Sequence, residues 1–328
     1  MTVLASAGAV VEVVAWICTA AMGLLALSQI AGFTGWVVIF ALQATTPFAL
    51  APALPIAIVA ALDGRVLLAV VDAGIALVLA WLLLPVVRHG GPPSVTPEDA
   101  QLTIAFANTL YENERTRETA HALLDLGADV LAIVEHTPAM ETSLVELGVL
   151  DRYPYRAGAS EVTRDGVRLF SRHPLSTAVH GDIGDVPGID AVLDVDGAPL
   201  RIIVVHPVAS VTRPELRSWR RDLATLRTML ISGHRSRERI VVVGDYNACR
   251  WHPDFRALLD GTGFRLAHEW LGHGFTTSWE IGGRLPAFVR IDHALLHGVT
   301  PVAVRDMDTP GSDHRAFALT LALPRPSA

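Results

Sequence analysis

The hydrophobic pattern divides the chain near residue 90. Before that point apolar residues run almost unbroken over about 9–30, 36–62 and 66–87, separated only by Gly32-Phe33-Thr34-Gly35 and Asp63-Gly64-Arg65. Each stretch exceeds the ~20 residues a helix needs to cross a hydrocarbon core. The only charges before residue 90 are Glu12, Asp63, Arg65, Asp72 and Arg88. A buried helical domain of a soluble protein would carry a polar face at helical spacing. These stretches are apolar nearly all round, so three transmembrane helices are expected within 1–88. A signal peptide is disfavoured, because the start lacks positive charge and the apolar stretches are too many and too long.

Pro47, Pro52 and Pro55 predict that the second stretch is kinked or broken. Glu12 and Asp72 lie in or near the spans, where an ionised carboxylate is costly, so they are expected to face other helices, water or an interface. Three spans would place the termini on opposite sides, making the chain a multi-pass protein of the cell membrane. Arg65 argues for an external C-terminal part and Arg88 for the reverse, so basic residues alone leave sidedness tied. Cys18 falls in the first span and Cys249 far along the chain, so no disulfide is expected.

Residues 89–98, rich in Gly and Pro, read as a short linker, and 99–328 as one domain held beside the bilayer. Strands are predicted over 102–107, 130–134, 166–170, 191–195, 200–205, 289–296 and 316–321, and helices over 115–126, 214–231 and 254–259. The helix at 214–231 has the strongest signal, with Pro214 opening it and Leu216, Trp219, Leu223, Leu226 and Leu230 at helical spacing. Arg217, Arg220, Arg221 and Arg227 decorate it and read first as a solvated face, second as contacts to anionic headgroups. Many strands with a few interleaved helices suggest sheets packed face to face with helices outside, a layered α+β architecture.

Polar residues recur where the predicted strands and turns stop. The apolar run 240–243 breaks into Gly244-Asp245-Tyr246-Asn247, and strand alternation points Asp245 and Asn247 one way and Tyr246 the other. Others end in Asn108, Glu135, His206, Asp292 and the pair Asp313-His314. An Asp and an Asn after one strand are commonly turn residues; the repetition is what suggests a site. Asn108, Glu135 and Asp313 are hard oxygen donors suited to Mg²⁺ or Mn²⁺. An Asp292–His314 pair would fix the imidazole tautomer.

Taken together, Asn108, Glu135, His206-Pro207, Gly244-Asp245-Tyr246-Asn247-Ala248, Arg290-Ile291-Asp292-His293 and Gly311-Ser312-Asp313-His314-Arg315 resemble, in that order, the endonuclease/exonuclease/phosphatase superfamily. The resemblance covers the whole chain after the linker and implies a four-layer αββα sandwich with a divalent-metal phosphohydrolase site at the sheet edges. It implies Glu135 as principal metal ligand, helped by Asn108 and Asp313. His314 would be the base or phosphate-side group oriented by Asp292, Asp245 would handle the nucleophile or leaving-group proton, and Asn247 and His206 would hold phosphate oxygens. Ile133-Val134 before Glu135 and Tyr246 in place of the commoner Phe are departures that remove no functional group.

Three spans ahead of such a domain also resemble the VanJ-type teicoplanin-resistance membrane proteins. That implies an extracytoplasmic catalytic domain and lipid-linked phosphates of the cell-wall cycle, such as undecaprenyl pyrophosphate, as substrates. The net charge of −7 argues against nucleic acid, which selects basic surfaces. A tethered nuclease or headgroup phosphodiesterase is the enzymatic alternative, and a catalytically silent binding domain the alternative from another class.

Overall fold

The computed structural model describes residues 2–88, 90–91, 95–96, 98–280 and 287–324. Residues 89, 92–94 and 97 of the expected linker lie outside the described residues.

The apolar N-terminal part forms five helices: α1 (Thr2–Ile30), α2 (Val37–Ala44), α3 (Thr46–Leu50), α4 (Ala53–Leu62) and α5 (Val66–Val87). Val10–Ile30 and Val66–Val87 are each long and apolar enough to cross a membrane. The second expected span is broken: α2 meets the Thr46–Leu62 stretch at 80°, with Pro47 in the first turn of α3 and Pro52 ahead of α4. Thr46–Leu62 spans only about 25 Å at the helical rise. Large apolar side chains such as Leu24, Leu27, Leu54, Leu67, Val70 and Leu77 point outward, the reverse of a soluble bundle.

Several polar groups among these helices are paired. Glu12 meets Arg65 at 3.7 Å. Asp72 is fully buried and its Oδ2 accepts from Thr19 Oγ1 at 2.8 Å. Gln29 and Gln43 donate to Thr46 Oγ1 and to the Phe33 carbonyl, tying the break to α1 and its following turn.

The remainder builds β1 (Ala100–Asn108), α6 (Thr116–Asp125), β2 (Val130–Val134), α7 (Pro138–Glu146), α8 (Val149–Arg152), β3 (Tyr155–Ala159), β4 (Val167–Ser171), β5 (Leu175–Ile183), β6 (Val186–Val195) and β7 (Ala198–Val205). It continues with α9 (Arg213–Arg235), β8 (Ile240–Asp245), α10 (Pro253–Arg256), β9 (Arg265–Leu266), α11 (Ala267–Trp270), β10 (Asp292–His297), β11 (Thr300–Asp308) and β12 (Arg315–Leu323). One sheet has the order β11-β12-β1-β2-β4-β3 and the other β5-β6-β7-β8-β10-β9.

Their inner faces meet through Ile104, Phe106, Val134 and Leu169 on one side and Val204, Val243 and Leu296 on the other. α6 and α7 cover the outer face of the first sheet through Leu123, Leu124, Met140 and Leu144. α9 covers the second through Leu216, Trp219, Leu223, Leu226 and Leu230. The layers are therefore helix, sheet, sheet, helix. Central strands covered on both faces need apolar residues throughout, which is why β2 and β8 read as unbroken runs.

Four local expectations change. The β5–β6 hairpin extends well before 191, because β5 is an exposed edge strand with almost no apolar alternation to reveal it. β11 was not legible either; it runs along the outer side of β12 with a register shift after Pro301. The helix expected at 254–259 is one turn, α10, followed by turns. The strand expected from 289 starts at Asp292, since Val289 bridges Trp279 instead. Three of the α9 arginines are also partnered: Arg220 with Asp254 at 3.1 Å, Arg221 with Asp185, and Arg227 with the Ala257 carbonyl at 2.8 Å.

The domain is docked on the apolar helices. Phe40 of α2 stacks on His252 (centroids 4.1 Å) and meets the edge of Trp219 at 5.1 Å. Arg256 donates to Gln29 Oε1 at 2.7 Å, and Gln29 to the Trp251 carbonyl at 2.9 Å. Leu82 and Val86 of α5 pack with Cys249, Trp251, Val289 and Ile291. The loop after β8 thus grips the C-terminal ends of α1 and α5.

Candidate active site

Register explains why the polar residues converge. β1 and β2 are parallel, as are β7 and β8, so Asn108, Glu135, His206 and Asp245 leave the same end of the two sheets. β10 and β12 run antiparallel to β8 and β1, so their first residues lie at that end too, with Asp292 directly opposite Asp245. Chain reversal brings Asp313 and His314 there.

The side chains interlock across the sheets. Asn108 Nδ2 donates to Glu135 Oε1 at 2.9 Å and to Asp245 Oδ2 at 3.0 Å, one donor bridging both sheets. Glu135 Oε2 also accepts from the Tyr111 N–H at 2.9 Å. His206 Nε2 lies 3.5 Å from Asp245 Oδ2 and 3.7 Å from Glu135 Oε1. His314 Nδ1 lies 2.9 Å from Asp292 Oδ2, and its Nε2 3.6 Å from Asp245 Oδ2. Asn247 turns its Nδ2 to the Pro207 carbonyl at 2.9 Å, while its N–H donates to Asp245 Oδ1 at 2.8 Å. Tyr246 points the other way, buried against Phe255. Glu135 and Asn247 hold positive φ of 54° and 46°, a conformation non-glycine residues adopt at a cost and keep where surroundings enforce it.

Burial disfavours charge on His314, but the carboxylates of Asp292 and Asp245 outweigh it and push its pKa up to about 10. Burial likewise opposes charge on His206, and Asp245 with Glu135 still raises it above the ordinary value. Asp245 shows the converse: burial works against ionisation, yet the two imidazoles hold its carboxyl below the usual range. The carboxylates thus favour the protonated form of both imidazoles, most strongly that of His314.

Glu135, His206, Asp245, Asn247, Asp313 and His314 line a basin of about 410 Å³, with Tyr111, Arg164 and Trp279 at its walls. Asn108 and Asp292 stand behind it, both buried. A divalent cation fits this donor set. Among the described residues Asp313 Oδ1 is buried with no hydrogen-bond partner, and the carboxylates outnumber the imidazoles. Asn108 Oδ1 accepts from the Leu110 N–H at 3.0 Å, so it reaches a cation only if that bond is released. Asp245, Asp292 and His314 also lie within ligand distance of one another.

Sequence reading missed Ser278, Trp279 and Tyr111. Ser278 Oγ donates to Asp292 Oδ2 at 2.6 Å and accepts the N–H groups of Ile291 and Asp292. Trp279 Nε1 donates to Asp313 Oδ2 at 3.0 Å. Neither follows a predicted strand, so strand-end reasoning had no purchase on them; Tyr111 acts through its backbone, which leaves no trace in a side-chain pattern.

Solved structures share this fold. A humanized D. rerio TDP2 is 18% identical, covering 67% of this chain and 98% of that one, with TM-score 0.56. An endonuclease/exonuclease/phosphatase from Bacteroides vulgatus is 15% identical over 68% of this chain and 99% of that one, TM-score 0.55. The mannosyl-6-phosphatase Bt3783 of Bacteroides thetaiotaomicron is 12% identical over 67% and 99%, TM-score 0.51. No curated protein sequence matches the chain significantly. The model of the Endonuclease/Exonuclease/phosphatase family matches residues 104–314, from the middle of β1 through His314. Every strand except β12 falls wholly or mostly inside that stretch, as does every polar residue that feeds the basin, and the chain belongs to this family of phosphoester-cleaving folds.

Proposed function

We propose that the chain is a membrane-anchored, divalent-metal-dependent phosphohydrolase of a lipid-linked phosphate or pyrophosphate, such as the undecaprenyl pyrophosphate of cell-wall synthesis, working at the outer face of the cell membrane. The carrying observation is the docking: the loop that follows Asp245 and Asn247 grips α1, α2 and α5 through His252, Arg256 and Trp251. A tether need only restrict diffusion; a rigid seat fixes the basin at a set height and angle above the bilayer, which a lipid headgroup requires. The same architecture supports a role in teicoplanin resistance of the VanJ type.

Mg²⁺ or Mn²⁺ would be held by Glu135, with Asp313 and Asn108. Bound there it would neutralise phosphate charge and polarise the P–O bond under attack. Asp245, kept ionised, orients the attacking water and receives its proton as the water oxygen bonds to phosphorus and the bridging P–O bond breaks. His314, kept cationic by Asp292 and Asp245, and His206, whose proton Asp245 and Glu135 favour, face the non-bridging oxygens and stabilise their charge. Asn247 presents its amide beside Asp245. Asp292, gripped by Ser278, holds the His314 ring and its proton in place.

The test is phosphate release by the full chain in detergent with Mg²⁺, using undecaprenyl pyrophosphate, beside cleavage of single- and double-stranded DNA. Lipid turnover lost with chelator and in Glu135→Ala supports the reading. DNA cleavage without lipid turnover favours the tethered nuclease. Cysteine labelling at the C-terminus reports sidedness, and a cytoplasmic result sinks the cell-wall assignment.

A further inference from the structure

A second cavity, of about 320 Å³, opens where the broken helix meets the domain. Pro47 and Phe48 of α3 and Leu83 of α5 form its membrane side; Trp251, Phe275 and Phe288 form its domain side. Phe48 and Phe275 are mostly exposed. Several charged residues also border it, but their heads are turned to partners. Arg250 lies 3.3 Å from Glu269. Arg290 donates to Thr276 Oγ1 at 2.8 Å and Asp306 Oδ2 at 2.7 Å. His268 Nε2 lies 3.2 Å from the same carboxylate group. Most of the surface left facing the cavity is hydrocarbon.

This cavity adjoins the catalytic basin through one short stretch of chain. Thr276 and Thr277 line it, Ser278 then holds Asp292, and Trp279 donates to Asp313 while lining the basin. The Phe288 ring, on the cavity wall, sits 6.2 Å from the Trp279 ring. A molecule with an anionic head and an apolar chain would find one end of itself matched on each side of Trp279.

We infer that the cavity holds the first segment of the hydrocarbon chain of the substrate lipid, guiding its phosphate past Trp279 into the basin. This rests on the lipid-phosphate reading of the site. The cavity is near the small end of ligand pockets, so it takes only part of a long chain and leaves the rest in the bilayer. Moving a chain from bilayer to apolar cavity changes its surroundings little. The site therefore acts by orienting the headgroup, and its effect appears in discrimination between long- and short-chain substrates.

The experiment uses the full chain in lipid nanodiscs with a long-chain prenyl phosphate carrying a tail diazirine, and compares kcat/KM for long-chain and geranyl diphosphates. The expected result is label on peptides containing Phe275 and Phe288, diminished in Phe275→Asp and Leu83→Trp. The long-to-short ratio of kcat/KM is expected to fall roughly tenfold in both variants, the scale of a small misplacement of a reacting group. Label confined to outward residues such as Val70 and Leu77, equal labelling by a diazirine phosphatidylcholine, or an unchanged ratio overturns the inference. Hydrolysis with no chain-length preference removes the tail site and leaves the function; pocket labelling with no hydrolysis of any lipid phosphate removes the function and leaves the tail site.

Discussion

Replacing Asp292 with Asn tests the central electrostatic claim with little change of volume. Both Asp292 oxygens lie at 2.9–3.1 Å from His314 Nδ1, and Oδ2 also receives the Ser278 hydroxyl. The Ser278 oxygen already accepts two N–H groups, so its proton is committed to Asp292. An asparagine whose carbonyl takes the Oδ2 place keeps both acceptor contacts but carries no charge and sets its NH₂ against the His314 Nδ1 donor at the Oδ1 place, 3.1 Å away; the reverse orientation sets the NH₂ against Ser278. The loss is one charge-assisted hydrogen bond, about 1.5–3 kcal/mol, or roughly 10- to 150-fold in kcat when the bond supports the transition state.

The pH dependence is the sharper readout. In the wild type His314 stays protonated until about pH 10; without the Asp292 charge its pKa drops toward the ordinary value near 6.5. The cation is then lost as pH rises through a lower pKa, so the wild-type to variant rate ratio should climb between pH 6 and 9. Phosphate release at saturating Mg²⁺ across that range measures it, and NMR titration of the His314 ring reports the pKa directly. A flat ratio, or a ring still protonated at pH 9 in the variant, would refute the assignment of His314 as an Asp292-supported cation.

Other consequences can be measured on the same protein. Trp219→Phe removes the donor to the Tyr246 carbonyl, a 2.9 Å buried bond, and should cost about 1–3 kcal/mol, read as a lower melting temperature together with weaker activity, since Tyr246 lies between Asp245 and Asn247. His252 is neutral and satisfied on both nitrogens, by the Phe40 carbonyl and the Cys249 N–H. Burial depresses its pKa to about 4, so stability is intact above about pH 6.5 and falls by up to about 3 kcal/mol as pH drops toward 4. His252→Gln should shrink the difference in melting temperature between pH 7.5 and 5; an unchanged difference would show that other groups dominate. Gly311 has φ +79°, and a Cβ there would meet Asn113 Oδ1 at 2.0 Å. Gly311→Ala should abolish phosphate release while leaving far-UV circular dichroism near wild type, because the damage falls on the turn that aims Asp313 and His314.

The sequence by itself determined a good deal. Runs such as 130–134 and 240–243 identify strands covered on both faces, because such strands tolerate no polar position, and the residues that end them are polar because there the chain leaves the core. Asn108, Glu135, His206, Asp245, Asn247, Asp313 and His314 were legible for that reason, as were two apolar helices long enough to cross a membrane. The tertiary structure alone decided the rest. Strand alternation says that Asp245 and Asn247 share a side, but only the pairing of β8 with β10 sets Asp292 opposite Asp245. Ser278 and Trp279 act from an irregular segment with no period to betray it. The break at Thr45 was signalled by nearby prolines, yet its 80° angle and the seating of Phe40 on His252 depend on a surface assembled from residues more than two hundred positions away. Local periodicity records which way a side chain faces within its own element; which elements face one another is set by packing across the whole chain.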